Sequence, residues 1–98
     1  MPESDSMSRL HIHVRGRVQG VGFRAHVEYA ARELGLTGWV RNVGYDQVEA
    51  VAEGPKSQLE QLEQAIRTGP RGSHVEEPTT EWLTATGEFE HFVVRRSI

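Results

Sequence analysis

The chain has 98 residues, the size of one domain, and 37% of them are hydrophobic. Its 14 acidic side chains outnumber the 11 basic ones, so the formal net charge is −3. This balance argues against a general nucleic-acid-binding protein, which is usually basic. The chain contains no cysteine, which excludes disulfides, thiolate nucleophiles and cysteine-ligated metal centres. A domain without disulfides fits the cytoplasm.

The N-terminal segment is polar and contains no apolar stretch of the kind found in secretory signals. We therefore predict a disordered leader over residues 1–8 and one domain over residues 9–98. Nowhere does an apolar run approach the ~20 residues that a membrane helix needs, so no membrane association is expected.

The first half of the domain begins with a strand pattern and continues with a helix pattern. Residues 10–14 alternate apolar and polar side chains, which predicts a half-buried strand. Residues 16–22 contain three glycines and predict a tight loop. A helical apolar stripe follows. It comprises Phe23, Val27, Ala30 and Leu34. Gly35 then suits the left-handed position at a helix end.

The middle of the domain predicts a hairpin and a second helix. Residues 36–43 and 47–53 have strand character, and residues 44–46 between them have turn chemistry. Pro55 suits the first turn of a helix that ends at Gly69. The buried stripe of this helix is predicted to be Leu59, Leu62 and Ile66.

The last third predicts two strands, over residues 75–84 and 89–95, although Pro78 disfavours a regular ladder in the first. The first six of these elements have the order β-α-β-β-α-β, which indicates an α+β, ferredoxin-like fold, also called the split βαβ. In that fold two helices cover one face of an antiparallel sheet, here of four or five strands. Four aromatic residues are predicted to pack in the core or between helices and sheet: Phe23, Trp39, Trp82 and Phe92.

The segment that links the first strand to the first helix, residues 16–24, reads GRVQGVGFR. Glycines let backbone N–H groups converge on one point, and a helix N-terminus adds unpaired N–H groups with partial positive charge. These features predict an anion cradle that is best suited to phosphate. The planar guanidinium of Arg24, in the first helical turn, can hold two phosphate oxygens.

Other interpretations of this segment are weaker. A P-loop requires a lysine directly after the glycines, and none is present. Gly20, Gly22 and Ala25 match a permissive dinucleotide fingerprint, but the domain is small and its second strand is too polar for a buried parallel strand. A plain structural turn, with Arg24 paired to Glu28 on the helix surface, is the remaining alternative.

A second motif, GWVRN, covers residues 38–42. The two motifs together resemble the acylphosphatase family, and residues 48–54 and 92–95 are similar to later family segments. The resemblance extends over residues 9–95. It implies an enzyme that hydrolyses acyl phosphates, with Arg24 and Asn42 as catalytic residues. It also implies that phosphate is held by five backbone N–H groups, those of Gln19, Gly20, Val21, Gly22 and Phe23.

The residues are consistent with this chemistry. An acyl phosphate releases a carboxylate whose conjugate acid has a pKa of roughly 4, so departure requires no strong general acid and no metal or other cofactor. Positioning and charge stabilisation are then sufficient. Asn42, which is always neutral, can orient the attacking water. The alternative role for Asn42 is to cap the turn before Gly44. The proton acceptor is not identified; the substrate phosphate is one candidate.

Histidines and arginines offer further hypotheses. His11 and His13 share one strand face, but two histidines without a third ligand do not predict a metal site. His26 follows Arg24 closely, although this reaction does not require a base. Four arginines are predicted to make the mouth of the site electropositive: Arg9, Arg15, Arg17 and Arg41.

Two rival functions are considered. A non-catalytic ferredoxin-like module could bind RNA or a small anion, but no aromatic RNA-binding string is visible and nucleic acid is not expected. Acylphosphatase-like domains also occur in larger carbamoyl-transfer enzymes of hydrogenase maturation. We predict instead a free-standing monomer whose partners are an acyl-phosphate substrate and phosphate, or sulfate as a product-like anion.

Overall fold

The computed structural model describes residues 6–98, which form eight elements. They are β1 (Met7–Arg17), α1 (Phe23–Glu33), β2 (Thr37–Val43), β3 (Gln47–Pro55), α2 (Lys56–Thr68), β4 (His74–Val75), β5 (Thr79–Thr84) and β6 (Phe92–Val94). Most of the predicted leader lies outside the described residues, but Met7 and Ser8 belong to β1 and pair with β3. No described helix has the length and apolarity to cross a membrane.

The sheet has the order β4-β1-β3-β2-β6, with β5 also paired to β1. β5, β1, β3 and β2 are antiparallel neighbours, which confirms the ferredoxin-like α+β fold. β6 departs from the predicted antiparallel sheet because it runs parallel to β2. Residues 85–91 connect β5 at one side of the sheet to β6 at the other, so the last strand enters beside β2 in the same direction.

The C-terminal strands are shorter than predicted. The expected strand over residues 75–84 is divided into β4 and β5, and Pro78 lies between them. Proline has no N–H to donate to a ladder, so it ends the pairing there. The expected strand over residues 89–95 is reduced to Phe92–Val94, which pairs with β2.

The core lies between the two helices and one face of the sheet. The predicted inward residues of β1, β3 and α2 are all buried: Leu10, Ile12, Val14, Val48, Ala50, Ala52, Leu59, Leu62 and Ile66. In α1 the fully buried alanine is Ala31, whereas Ala30 and Leu34 are partly buried beside it. Gly35 has φ 71°, which confirms the left-handed position after α1.

The two tryptophans do not lie in this core. Trp39 projects from the opposite face of the sheet, because residues one apart on a strand point to opposite sides and Val40 occupies the core. The guanidinium groups of Arg41 and Arg95 each lie 4.7 Å from the centroid of its ring. Trp82 is 37% exposed, with the Lys56 ammonium 5.3 Å from its ring. The predicted burial therefore holds for Trp39, which is 9% exposed, although on the face without helices, and Trp82 contacts α2 but stays partly exposed.

The sheet face without helices, called here the open face, carries a buried carboxylate. Glu53 is 4% exposed and accepts hydrogen bonds from the backbone N–H groups of Thr86 and Gly87, both at 2.9 Å, and from Arg9 at 2.7 Å. Burial by itself raises the pKa of Glu53, but these hydrogen bonds outweigh it and lower the pKa from 4.5 to about 2.

We expect Glu53→Gln to lower the free energy of unfolding by about 2–3 kcal/mol at about pH 7. The folded-state pKa is depressed, so this stabilisation is present above pH 4.5 and is lost as the pH falls through about 2. Denaturant unfolding at neutral and at acidic pH tests this. Glu90→Gln, at an exposed glutamate, is the control. Equal losses in the two variants at neutral pH would contradict the assignment.

Candidate active site

A cleft of about 330 Å³ opens where the loop after β1, the start of α1, β2 and β6 meet. Its lining comprises Val18, Gln19, Gly20, Gly22, Phe23, Arg24, Ala25, Glu28, Asn42 and Val94. The fold thus brings Arg24 and Asn42, 18 positions apart in the chain, to one cavity together with four of the five predicted cradle residues. The fifth, Val21, packs its side chain against the core.

The cradle depends on two glycines with left-handed backbones. Gly20 has φ 75° and Gly22, the N-cap of α1, has φ 77°. A Cβ built on either residue would meet no atom within 4 Å, so the conformation, and not a lack of space, favours glycine there. Both glycines line the cleft.

The backbone N–H groups of residues 19–23 are available to an acceptor. None of them donates a hydrogen bond to another group within residues 6–98; the first amide of this region to do so is that of His26, which bonds the Gly22 carbonyl at 3.0 Å. Unpaired N–H groups at a helix N-terminus carry partial positive charge. The geometry is therefore that of an anion-binding loop.

The side chain of Gln19 holds this loop in place. Its Nε2 donates to the carbonyl oxygens of Gln47 at 2.9 Å, Gly44 at 3.1 Å and Val43 at 3.4 Å. The loop is thereby attached to the β2–β3 hairpin that carries Asn42. The sequence analysis predicted a role only for the Gln19 backbone, because no local pattern indicates partners more than 20 positions away.

The guanidinium of Arg24 has no hydrogen-bond or ion-pair partner in the described part of the chain. The alternative ion pair with Glu28 is wrong, because Glu28 pairs with Arg32 at 3.0 Å. Arg32 also donates to the Phe92 carbonyl, at 3.1 and 3.2 Å, and so connects α1 to β6. Glu28 lines the cleft, a role that the sequence analysis missed.

Asn42 lies on the same face of β2 as the buried Val40, and this places it beside α1. Its side-chain amide has no protein partner within residues 6–98. The capping alternative is not supported, because the Gly44 amide bonds the carbonyl of Ile98 at 2.8 Å. The backbone of Asn42 is held by Ile98 as well, whose amide bonds the Asn42 carbonyl at 3.1 Å. The side chain is thus left for a ligand or water.

Three of the four arginines predicted at the mouth lie elsewhere. Arg9 binds Glu53, Arg15 lies 4.0 Å from Asp46, and Arg41 binds Glu49 at 2.8 Å, all on the open face. This part of the electropositive-mouth prediction is wrong. Arg17 is exposed at the end of β1 and does not line the cleft.

His26 joins the two helices. Its Nε2 lies 3.0 Å from the Ala65 carbonyl of α2, and its ring packs against Phe23 with centroids 6.2 Å apart. A carbonyl oxygen only accepts, so Nε2 donates this hydrogen bond. His26 does not line the cleft, and its described contacts connect α1 to α2.

Comparison with known proteins decides the family. The family model described as Acylphosphatase matches residues 10–94. The chain belongs to the acylphosphatase family. It is 45% identical over 94 residues to the acylphosphatase of Salinibacter ruber, covering 96% of this chain and 99% of that one. The resemblance inferred from the two motifs is confirmed.

Solved acylphosphatase structures have the same architecture. The crystal structure of the acylphosphatase from Bacillus subtilis superposes with a TM-score of 0.86 at 34% identity, covering 90% of this chain and 98% of that one. HypF from T. kodakarensis is similar to 90% of this chain, with a TM-score of 0.78 and 30% identity, but the similarity covers 12% of HypF. The acylphosphatase fold is therefore present here and also within a much longer protein.

Proposed function

We propose that this acylphosphatase-family chain hydrolyses acyl phosphates to a carboxylate and inorganic phosphate. One observation carries the proposal. The Arg24 guanidinium, the Asn42 amide and the N–H groups of residues 19–23 gather around one cleft, and all lack partners within residues 6–98. Polar groups that the protein leaves unpaired at an open cleft are available to bind a ligand or water. Here every such group suits a phosphate or a water molecule.

In this proposal the phosphate binds with its oxygens toward the loop. The five N–H groups and the partial positive charge of the α1 N-terminus surround it on one side. Arg24 donates two parallel hydrogen bonds from the other side and neutralises charge on the equatorial oxygens. The pairing of Glu28 with Arg32 supports this role, because it keeps an acidic side chain that lines the cleft from competing for Arg24.

Asn42 positions the nucleophile. Its amide oxygen accepts a hydrogen bond from water, whose oxygen attacks phosphorus in line with the leaving group. The bond between phosphorus and the carboxyl oxygen breaks, and the carboxylate departs with the electron pair. One water proton passes to a phosphate oxygen. Because a carboxylate is a good leaving group, no general acid and no metal in the cleft are needed. Val94 offers an apolar surface for the acyl group.

Phosphate release from benzoyl phosphate, measured with EDTA present, tests the activity. We expect turnover well above spontaneous hydrolysis, because the site supplies both positioning and charge stabilisation. A folded protein without turnover would contradict the proposal. Carbamoyl phosphate in a parallel assay distinguishes an acyl-phosphate hydrolase from a carbamoyl-specific domain. Salt-sensitive RNA binding without hydrolysis would favour the binding-module alternative.

The proposal includes a monomeric enzyme in the cytoplasm. All groups assigned to the cleft come from one chain, so a second copy is not required to complete the site. The small anionic substrate approaches an arginine and a helix N-terminus, which attract it electrostatically. Light scattering of the purified protein tests the oligomeric state, and cell fractionation tests the location.

A further inference from the structure

The open face carries a cluster of three potential metal ligands that the acyl-phosphate reaction does not use. His11 and His13, two positions apart on β1, project from this face together with Glu49 of β3. Glu49 is the cross-strand partner of His13. One ligand atom from each residue lies within 4.8 Å of the others. The sequence analysis dismissed a metal site because no third ligand was visible, and strand pairing supplies that ligand.

The distances suit a small divalent cation. Oε2 of Glu49 lies 2.7 Å from Nε2 of His11 and 3.4 Å from Nε2 of His13. In a tetrahedral zinc site with bonds of about 2.0–2.1 Å, neighbouring ligand atoms are about 3.3 Å apart. The distance from Glu49 Oε2 to His13 Nε2 already agrees with this value. The distance from Glu49 Oε2 to His11 Nε2 must increase by about 0.6 Å.

The surroundings prepare the three groups for coordination. Glu49 is 8% exposed, and its other oxygen is held by Arg41 at 2.8 and 2.9 Å, which leaves Oε2 directed at the histidines. Burial raises the pKa of Glu49, but hydrogen bonds from His11 and Arg41 outweigh this and keep it below the ordinary value. A glutamate is ionised at neutral pH even at its ordinary pKa, as a metal ligand must be.

A second carboxylate extends the cluster. Glu81 of β5 has Oε1 3.8 Å from Nδ1 of His11. This distance is too long for a hydrogen bond, so Glu81 contributes negative charge near His11 and does not fix its ring. With neutral histidines the formal charge of Glu49, Glu81 and Arg41 together is −1, which favours a cation. The side chains of His11 and His13 are 28% and 39% exposed, so the cluster is accessible from solvent.

We propose that His11, His13 and Glu49 form a Zn²⁺ site on the open face, separate from the acyl-phosphate cleft. Two imidazoles and one carboxylate are a donor set that zinc prefers, and the fourth position is open to water or an external ligand. Arg41 orients Glu49 through its hydrogen bonds, and Glu81 adds negative charge near His11.

Calorimetric titration of tag-free protein with Zn²⁺, without substrate and near neutral pH, tests the site. We expect one Zn²⁺ per chain in the wild type. His13→Asn is expected to weaken binding by more than about 10-fold, since even outer-shell losses cost about 10–100-fold. His91→Asn, at an exposed histidine outside the cluster, is the matched control and is expected to bind as the wild type does. Mg²⁺, which prefers oxygen ligands, should give no saturable heat.

Either of two results would overturn the site. One is the absence of saturable Zn²⁺ binding by the folded wild type, in which case the three side chains are only a polar network. The other is equal affinity in wild type and His13→Asn, with circular dichroism verifying that both are folded. Because the measurement uses no substrate, failure of this proposal is distinct from failure of the proposed hydrolysis.

Discussion

Arg24→Ala is expected to lower kcat/KM for benzoyl phosphate by about 10³-fold or more. Loss of one preorganised donor in an active site lowers the rate by about 10²–10³-fold, and Arg24 supplies two donors and a full charge. The guanidinium has no other partner within residues 6–98, so its removal leaves no protein group unpaired and the fold should persist. Steady-state kinetics, with circular dichroism as a check on folding, provide the measurement.

Two further variants make this test specific. Arg24→Lys keeps the charge but loses the planar fork, so we expect it to recover only part of the activity. Arg17→Ala removes a positive charge near the same loop, outside the cleft, and should change kcat/KM by less than about 3-fold. If kcat/KM decreased no more in Arg24→Ala than in Arg17→Ala, the phosphate-binding role of Arg24 would be rejected. Weaker competitive inhibition by inorganic phosphate in Arg24→Ala would support that role independently.

Asn42→Ala is expected to lower kcat by about 10²–10³-fold while the inhibition constant of inorganic phosphate changes by less than about 3-fold. The amide is assigned to the water and not to the phosphate, so its loss removes an interaction made mainly in the transition state. The described part of the chain provides it with no structural hydrogen bond. Initial-rate kinetics with phosphate as inhibitor measure both quantities.

A second variant, Asn42→Asp, tests whether Asn42 acts on the water and not on the phosphate. The aspartate has nearly the same shape but adds a negative charge beside the phosphate, so phosphate inhibition should weaken as well. Thr37→Ala, on the same strand and outside the cleft, is the control for general effects on β2. Parallel losses of phosphate binding and kcat in Asn42→Ala would contradict a role confined to the water.

Much of the fold is predictable because its signals are local. Three examples are the alternation around Ile12, the helical stripe that begins at Phe23 and the glycine at position 35. Each of these signals is read from residues only a few positions apart in the sequence. The errors occur where the sequence does not show which face of the sheet a side chain occupies. Trp39 is large and apolar, so it was expected in the core, yet the pleat of β2 places Val40 there. A single position on a strand decides the face, and hydrophobicity alone does not choose between adjacent apolar residues.

The candidate site also has a part that is predictable from local sequence and a part that is not. The cradle and Arg24 form one contiguous stretch, so their proximity follows from local geometry, and the family resemblance adds Asn42. The interactions that hold the site together are not local. Gln19 reaches the β2–β3 hairpin, and the Arg32 side chain holds the backbone of Phe92, 60 positions away in the chain. Neither pairing has a signal in the spacing of the residues.

By itself, the sequence determined the order of helices and strands from β1 to α2, the glycine loop that we propose binds an anion, and the family. These depend on periodicity, backbone conformation and contiguous motifs, which act over short distances along the chain. Only the tertiary structure decided the partner of Glu28, the face on which Arg41 lies, and the meeting of His11 and His13 with Glu49. The partner of Glu28 depends on competition between neighbouring side chains. The face of Arg41 and the meeting of the histidines with Glu49 depend on the pleat and register of the strands.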